Sequence, residues 1–126
     1  MRLALAAAAL ACSSPAFATG GFECRPLSGM GPVLNMVIGH TLSARPVSVI
    51  LKEGKRTLST YGPRAPLAIG QSWIDGRYLW LDLTDAGLSR REATLRAIFQ
   101  PKLRGRPATG TLVRNGRTWR VRCVEA

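Results

Sequence analysis

Asp75-Gly76 and Asn115-Gly116 each separate two runs of residues that alternate between apolar and polar side chains. Alternation of period two puts every other side chain on one face of a strand. An Asp-Gly or Asn-Gly pair between two such runs predicts a hairpin with a type I′ turn, which needs positive φ at both central residues. The first hairpin joins residues 67–73 to 77–83, where Leu79, Leu81 and Leu83 share a face opposite Tyr78, Trp80 and Asp82. The second joins residues 108–114 to 117–124. There Trp119, Val121 and Cys123 point one way, and Thr118, Arg120, Arg122 and Val124 point the other.

The same rhythm runs upstream. Phe22 and Cys24 alternate with Glu23 and Arg25, Leu34, Met36 and Ile38 share a face, and Val47, Val49 and Leu51 share the next. Residues 28–31, 62–66 and 101–107, rich in Gly or Pro, read as loops. Residues 84–100 carry two patterns. Ser89-Arg90-Arg91-Glu92 fits a capping box ahead of a stripe of Leu95, Ile98 and Phe99, a short helix near 89–100 that Pro101 would stop. Ala93, Leu95, Ala97 and Phe99 also alternate, and a turn followed by a strand is the expectation because hairpins surround it. The fold class expected is all-β, a small antiparallel meander forming a barrel or sandwich.

Residues 1–18 have the three parts of a secretory signal: a cation at Arg2, an apolar run from Leu3 to Ala11, and Ala16-Phe17-Ala18 at the end. The run is too short to span a bilayer, and no later stretch is long and apolar enough to do so. Lipid attachment at Cys12 would need a better lipobox than Ala9-Leu10-Ala11. Of 126 residues this leaves 19–126 as a single exported β domain, periplasmic or secreted. Two cysteines remain, Cys24 and Cys123, near its two ends. In an oxidising compartment they have only each other, and a bridge closing a loop of about 100 residues contributes ~4–5 kcal/mol in the chain-entropy model. With no C-x-x-C pair the bridge reads as structural, joining the terminal strands through sulfurs that both fall on apolar faces.

The inventory for catalysis is thin. His40 is the one imidazole, no nucleophile or carboxylate is spaced to serve it, and no cluster of metal ligands exists. Asp82 and Asp85 could be imagined as a glycosidase pair, but they read better as a strand-exposed charge and a turn former. The expectation is a non-enzymatic protein with no catalytic residue, metal or cofactor.

Charge says more. Without the signal the chain carries 17 Lys and Arg against 7 Asp and Glu, and residues 90–126 hold ten of those cations with only two of the anions. Arg104, Arg106, Arg114, Arg117, Arg120 and Arg122 are therefore expected to form an anion-binding surface, arginine being suited to bidentate phosphate or carboxylate contacts. Tyr78 and Trp80, opposite the leucine face, are the candidate exposed aromatic contacts. The partner expected is an anionic envelope component or an acidic protein, with peripheral membrane contact also compatible. Nucleic acid would satisfy the charge, but export and the lack of a recognition helix or RNP-type motif argue against it.

Phe22-x-Cys24 and Val121-x-Cys123 around a short-stranded β domain resemble small periplasmic disulfide-closed β-barrel proteins such as the inhibitors of C-type lysozyme. That resemblance implies a barrel closed by the terminal cysteines. It also implies the alternative function, a protein inhibitor of a secreted hydrolase that inserts a loop into the catalytic cleft. That family's inhibitory loop motifs have no match here, so no inhibitory residue is carried over.

Overall fold

Strands that can each bury one face need a partner surface, and this chain supplies it by curling its own sheet. The computed structural model describes residues 20–39 and 45–126, so the expected signal and His40 lie outside the described residues. Nine strands form among them: β1 (Gly21–Pro26), β2 (Val33–Gly39), β3 (Arg45–Glu53), β4 (Arg56–Ser59), β5 (Leu67–Ile74), β6 (Tyr78–Asp85), β7 (Arg91–Phe99), β8 (Ala108–Arg114) and β9 (Arg117–Glu125). They make one antiparallel sheet in the order β4-β3-β2-β1-β9-β8-β7-β6-β5. β5 comes round against β3 and β4, which nearly closes the sheet into a barrel. One residue beyond β4, Thr60 N donates to Val49 O at 3.0 Å and Val49 N donates to the Thr60 hydroxyl at 2.9 Å, which prolongs the β3–β4 pairing.

Residues 91–99 are strand throughout, because β7 has ladders on both sides, to β6 and to β8, which a helix would forfeit. β1 and β9 pair with Cys24 directly opposite Cys123, and the two sulfurs are bonded across 99 residues of chain. The bridge therefore clasps the first and last strands in the middle of the sheet. The core is filled by Leu34, Leu51, Leu79, Leu81, Leu83, Leu95, Leu112 and Val121. Small residues let the wall come close where strands cross it. A Cβ on Gly110 would run into the backbone carbonyl of Arg96 on the neighbouring strand.

Two local expectations are corrected. Asn115 and Gly116 have φ of 51° and 72°, as a type I′ turn requires, but neither Asp75 nor Gly76 has positive φ. The Asp75 carboxylate folds over its own turn instead, accepting from the amides of Arg77 and Tyr78 at 2.7 Å each. Val47 does not share the buried face of Val49 and Leu51. The β2–β3 ladder shifts register between Val37 and Ile38, so Pro46 turns inward and Val47 is 60% exposed. A third hairpin, with Gly54 at φ 59°, connects β3 to the short β4, which the sequence reading did not assign.

Candidate functional site

The β8 phase is set by Ala108 and Leu112, which are fully buried. That phase sends Arg114 inward too, and it is 5% exposed. Its Nη2 and Nε donate to the two carboxylate oxygens of Glu53 at 2.9 and 3.2 Å, and its Nη1 donates to Glu92 Oε2 at 2.8 Å and Glu92 O at 3.1 Å. Glu53 belongs to the β3–β4 hairpin and Glu92 to β7, so one guanidinium ties three strands across the end of the barrel. Hydrogen bonds from Arg90 and Arg114 hold the Glu92 carboxyl below the usual glutamate range, and those that Arg114 donates to Glu53 and Glu92 raise its guanidinium further. Arg114 is a structural clamp and leaves the expected anion-binding surface.

The other five arginines of that surface, Arg104, Arg106, Arg117, Arg120 and Arg122, are exposed and make no ion pair among the described residues. They fall in three places. Arg104 and Arg106 lie on the β7–β8 loop at the end of the barrel that holds Gly20 and Ala126, and Arg106 borders a hollow of about 500 Å³ there with Phe22, Ile74 and Phe99. Arg117 sits at the β8–β9 turn with its guanidinium 5.2 Å from the centre of the Trp119 ring, and Trp119 packs half-buried against the core. Arg120 and Arg122 project from the outer wall in the middle of the sheet.

Register extends that wall. Arg122 is opposite Arg25 on β1 and Thr109 on β8. Arg120 is opposite Thr111, which is opposite Arg96, which is opposite Trp80, which is opposite Trp73. A row of outward side chains thus runs Trp73, Trp80, Arg96, Thr111, Arg120 over five strands. Adjacent strands lie about 4.8 Å apart, so Trp80 and Arg120 are roughly 14 Å apart along the row.

The aromatic end of the row is held in place. The Trp80 ring lies 4.8 Å from that of Tyr78 and 5.4 Å from the Arg96 guanidinium, while remaining 37% exposed. Tyr78 is half-buried beside it. Trp73 is 60% exposed, and its indole N–H donates to Asp75 Oδ2 at 2.8 Å. The amides of Tyr78 and Arg77, with that indole, keep the Asp75 carboxyl below its usual range. Beside them Asp82 is only 4% exposed, not the strand-exposed charge expected. Arg96 Nη2 stands 3.0 Å from Asp82 Oδ1 and Arg91 Nη2 3.6 Å from Oδ2. The approach of Arg96 is off the hydrogen-bonding direction, so Oδ1 is in charge contact yet accepts no hydrogen bond. Asp85, by contrast, is the expected turn former, accepting from the Ser89 hydroxyl and from the amides of Ser89 and Arg90.

Trp73, Asp82, Arg96 and Arg25 were missed as site residues by the sequence reading. Trp73 owes its place to a bulge: Ile69 is opposite Leu83 but Ser72 is opposite Leu81, so β5 carries one extra residue and its phase inverts. A glycine inside a strand pattern, Gly70, was the available signal. Among the described residues no helix is long and apolar enough to cross a membrane, and no three His, Cys, Asp or Glu side chains gather as metal ligands. No family model, curated protein or solved structure matches the chain.

Proposed function

We propose that this is a non-enzymatic binding protein that works outside the cytoplasm, in the periplasm or after secretion, and holds an anionic component of the cell envelope against its outer β-wall. The observation that carries the reading is the contrast in neutralisation. Arg114, facing inward, is matched by two carboxylates, whereas Arg120 and Arg122, facing outward on the same hairpin, have no carboxylate partner among the described residues. Arg25 stands directly opposite Arg122. Like charges opposed on one sheet face are unfavourable in isolation, and an anion laid between them removes the penalty. The bonded Cys24–Cys123 pair fits an oxidising compartment.

The test is sedimentation of the oxidised protein with purified envelope fractions over a series of salt concentrations, beside a variant with Arg120→Gln and Arg122→Gln. Binding that weakens as salt rises, and that the variant loses, is the expected result. Equal sedimentation of the two proteins, or no sedimentation of either at low salt, overturns it and moves attention to the hydrolase-inhibitor alternative.

A further inference from the structure

The outer wall holds a second feature that the arginines of β9 do not explain. A hollow of about 420 Å³ lies between β5, β6 and β7, lined by Gln71, Ser72, Trp73, Trp80, Asp82 and Arg96. Its size is at the lower end of small-ligand sites, which span roughly 300–1,000 Å³. We propose that it is a saccharide-binding subsite that seats one pyranose ring of a glycan, with the ring's C–H face on the tryptophans and its hydroxyls between Asp82 and Arg96.

Three observations converge on it. The first is two large exposed indoles, side by side on adjacent strands, that the fold fixes without burying: Trp73 by Asp75, Trp80 between Tyr78 and Arg96. Exposed aromatic surface that is also immobilised is suited to receiving a ligand face at small entropic cost. The second is the bulge of β5, which falls opposite Asp82 and turns Trp73 outward, while Gly70 lets the strand lie against the Asp82 side chain. The third is Asp82 itself. Asp82 is more than nine-tenths buried yet borders the hollow, a carboxylate edge beside the Arg96 guanidinium at the foot of two exposed indoles.

The chemistry of the lining selects the class of ligand. A phosphate or carboxylate offers acceptors only and would set its own negative charge against the Asp82 carboxylate. An ammonium group could donate to it, but Arg91 and Arg96 already surround that one carboxylate with two positive charges. A hydrocarbon would cover the indoles but strip water from the polar groups of Gln71, Ser72 and Arg96 without replacing its hydrogen bonds. A pyranose has an apolar face and a rim of hydroxyls that both donate and accept. It can give a hydrogen bond to Asp82 and take one from Arg96 or Gln71. The subsite itself stands without the anionic reading of β9.

Calorimetric titration tests it, using the oxidised protein at a salt concentration that screens the β9 arginines. The probes are neutral tetrasaccharides of β-1,4-linked N-acetylglucosamine, β-1,4-linked glucose and α-1,4-linked glucose, taken to millimolar concentration, with guanosine monophosphate as a flat-ring comparator. Saturable binding of at least one tetrasaccharide is expected. It should weaken about tenfold or more in Trp73→Ala and in Asp82→Asn, and stay unchanged in the Arg120→Gln, Arg122→Gln variant. Trp73 is surface-exposed, so that variant separates loss of the subsite from loss of the fold. No binding of any tetrasaccharide, binding untouched by both subsite variants, or binding of the nucleotide in place of the sugars overturns the proposal. Envelope sedimentation and sugar titration fail independently, so the failure of either reading is distinguishable from failure of the other.

Discussion

Arg114 and Asp82 are the two charged side chains buried among the described residues, and the fold treats them in opposite ways. Arg114 sits at the end of the barrel and donates four hydrogen bonds, three to the Glu53 and Glu92 carboxylates and one to a backbone carbonyl. Asp82 sits on the wall under exposed tryptophans, near two guanidiniums, with one oxygen that accepts nothing. Burying a charge is expensive, and a fully bonded network offsets most of that expense while locking strands into register. A partly bonded one does neither. The difference separates a charge that builds the structure from one that the structure keeps open.

The largest effect should come from breaking the closed network. Arg114→Met fills the same space but leaves Glu53 and Glu92 facing each other at the barrel end. Loss of one partner from a buried pair costs about 3–5 kcal/mol, and the glutamate side chains, 24% and 17% exposed, place this case near the lower bound. Denaturant unfolding should show the midpoint falling at constant slope. A loss below about 1 kcal/mol would mean that the clamp is no more than a surface pair, and the contrast with Asp82 would collapse.

Acid should reveal the same network more gently. The folded-state pKa of Glu92 is held below its usual 4.5, chiefly by Arg90 and then by Arg114. A depressed carboxyl contributes stability that is complete above the unfolded value and is lost as pH falls through the folded one. The wild-type protein should therefore weaken as pH drops below about 4.5. Asp75 and Asp85, also depressed, add to that loss. Glu92→Gln should be less stable than wild type near neutral pH and show a shallower decline toward about pH 3, measured by unfolding at both ends of the range. Parallel declines would remove Glu92 from the clamp.

How much of this contrast could be read from the chain depends on the range over which it is determined. Alternation and the Asn-Gly turn are local, so the leucine faces of β6, the β8–β9 hairpin and the opposed cysteines were all legible. The inward phase of Arg114 was legible as well, two residues after Leu112, but its place beside a turn drew it into the basic surface instead. The carboxylate partners could not be read, because Glu53 lies 61 residues away in sequence. Trp73 and Val47 both changed face at register shifts, and a shift of one residue inverts every later side chain. The burial of Asp82 follows from that bulge and from two arginines on the next strand. Composition could show only that those arginines were in excess.

On the open side of the contrast, stability should barely respond. Asp82→Asn keeps the shape and removes a charge whose nearest partner, Arg96, is 38% exposed and therefore solvent-screened. A change within about 1 kcal/mol is expected in thermal or denaturant unfolding, against the larger loss at Arg114. A destabilisation as large as that of Arg114→Met would show that Asp82 is a structural charge after all.

The smallest effect is also the most diagnostic in sign. Arg122 and Arg25 are directly opposed on the sheet, and although Arg25 also pairs with Glu23, Arg122 has no carboxylate of its own among the described residues. Like charges opposed across strands destabilise by about 0.2–1 kcal/mol, less as salt rises. Arg122→Gln should then leave stability unchanged or slightly raised at low salt, with any gain fading at high salt, as read from unfolding midpoints across a salt series. A clear loss at low salt would mean that Arg122 has found a stabilising partner within the fold. Stability gained on its removal would show instead that the chain carries this arginine at the expense of its own fold, which is what a residue placed for an external anion would do.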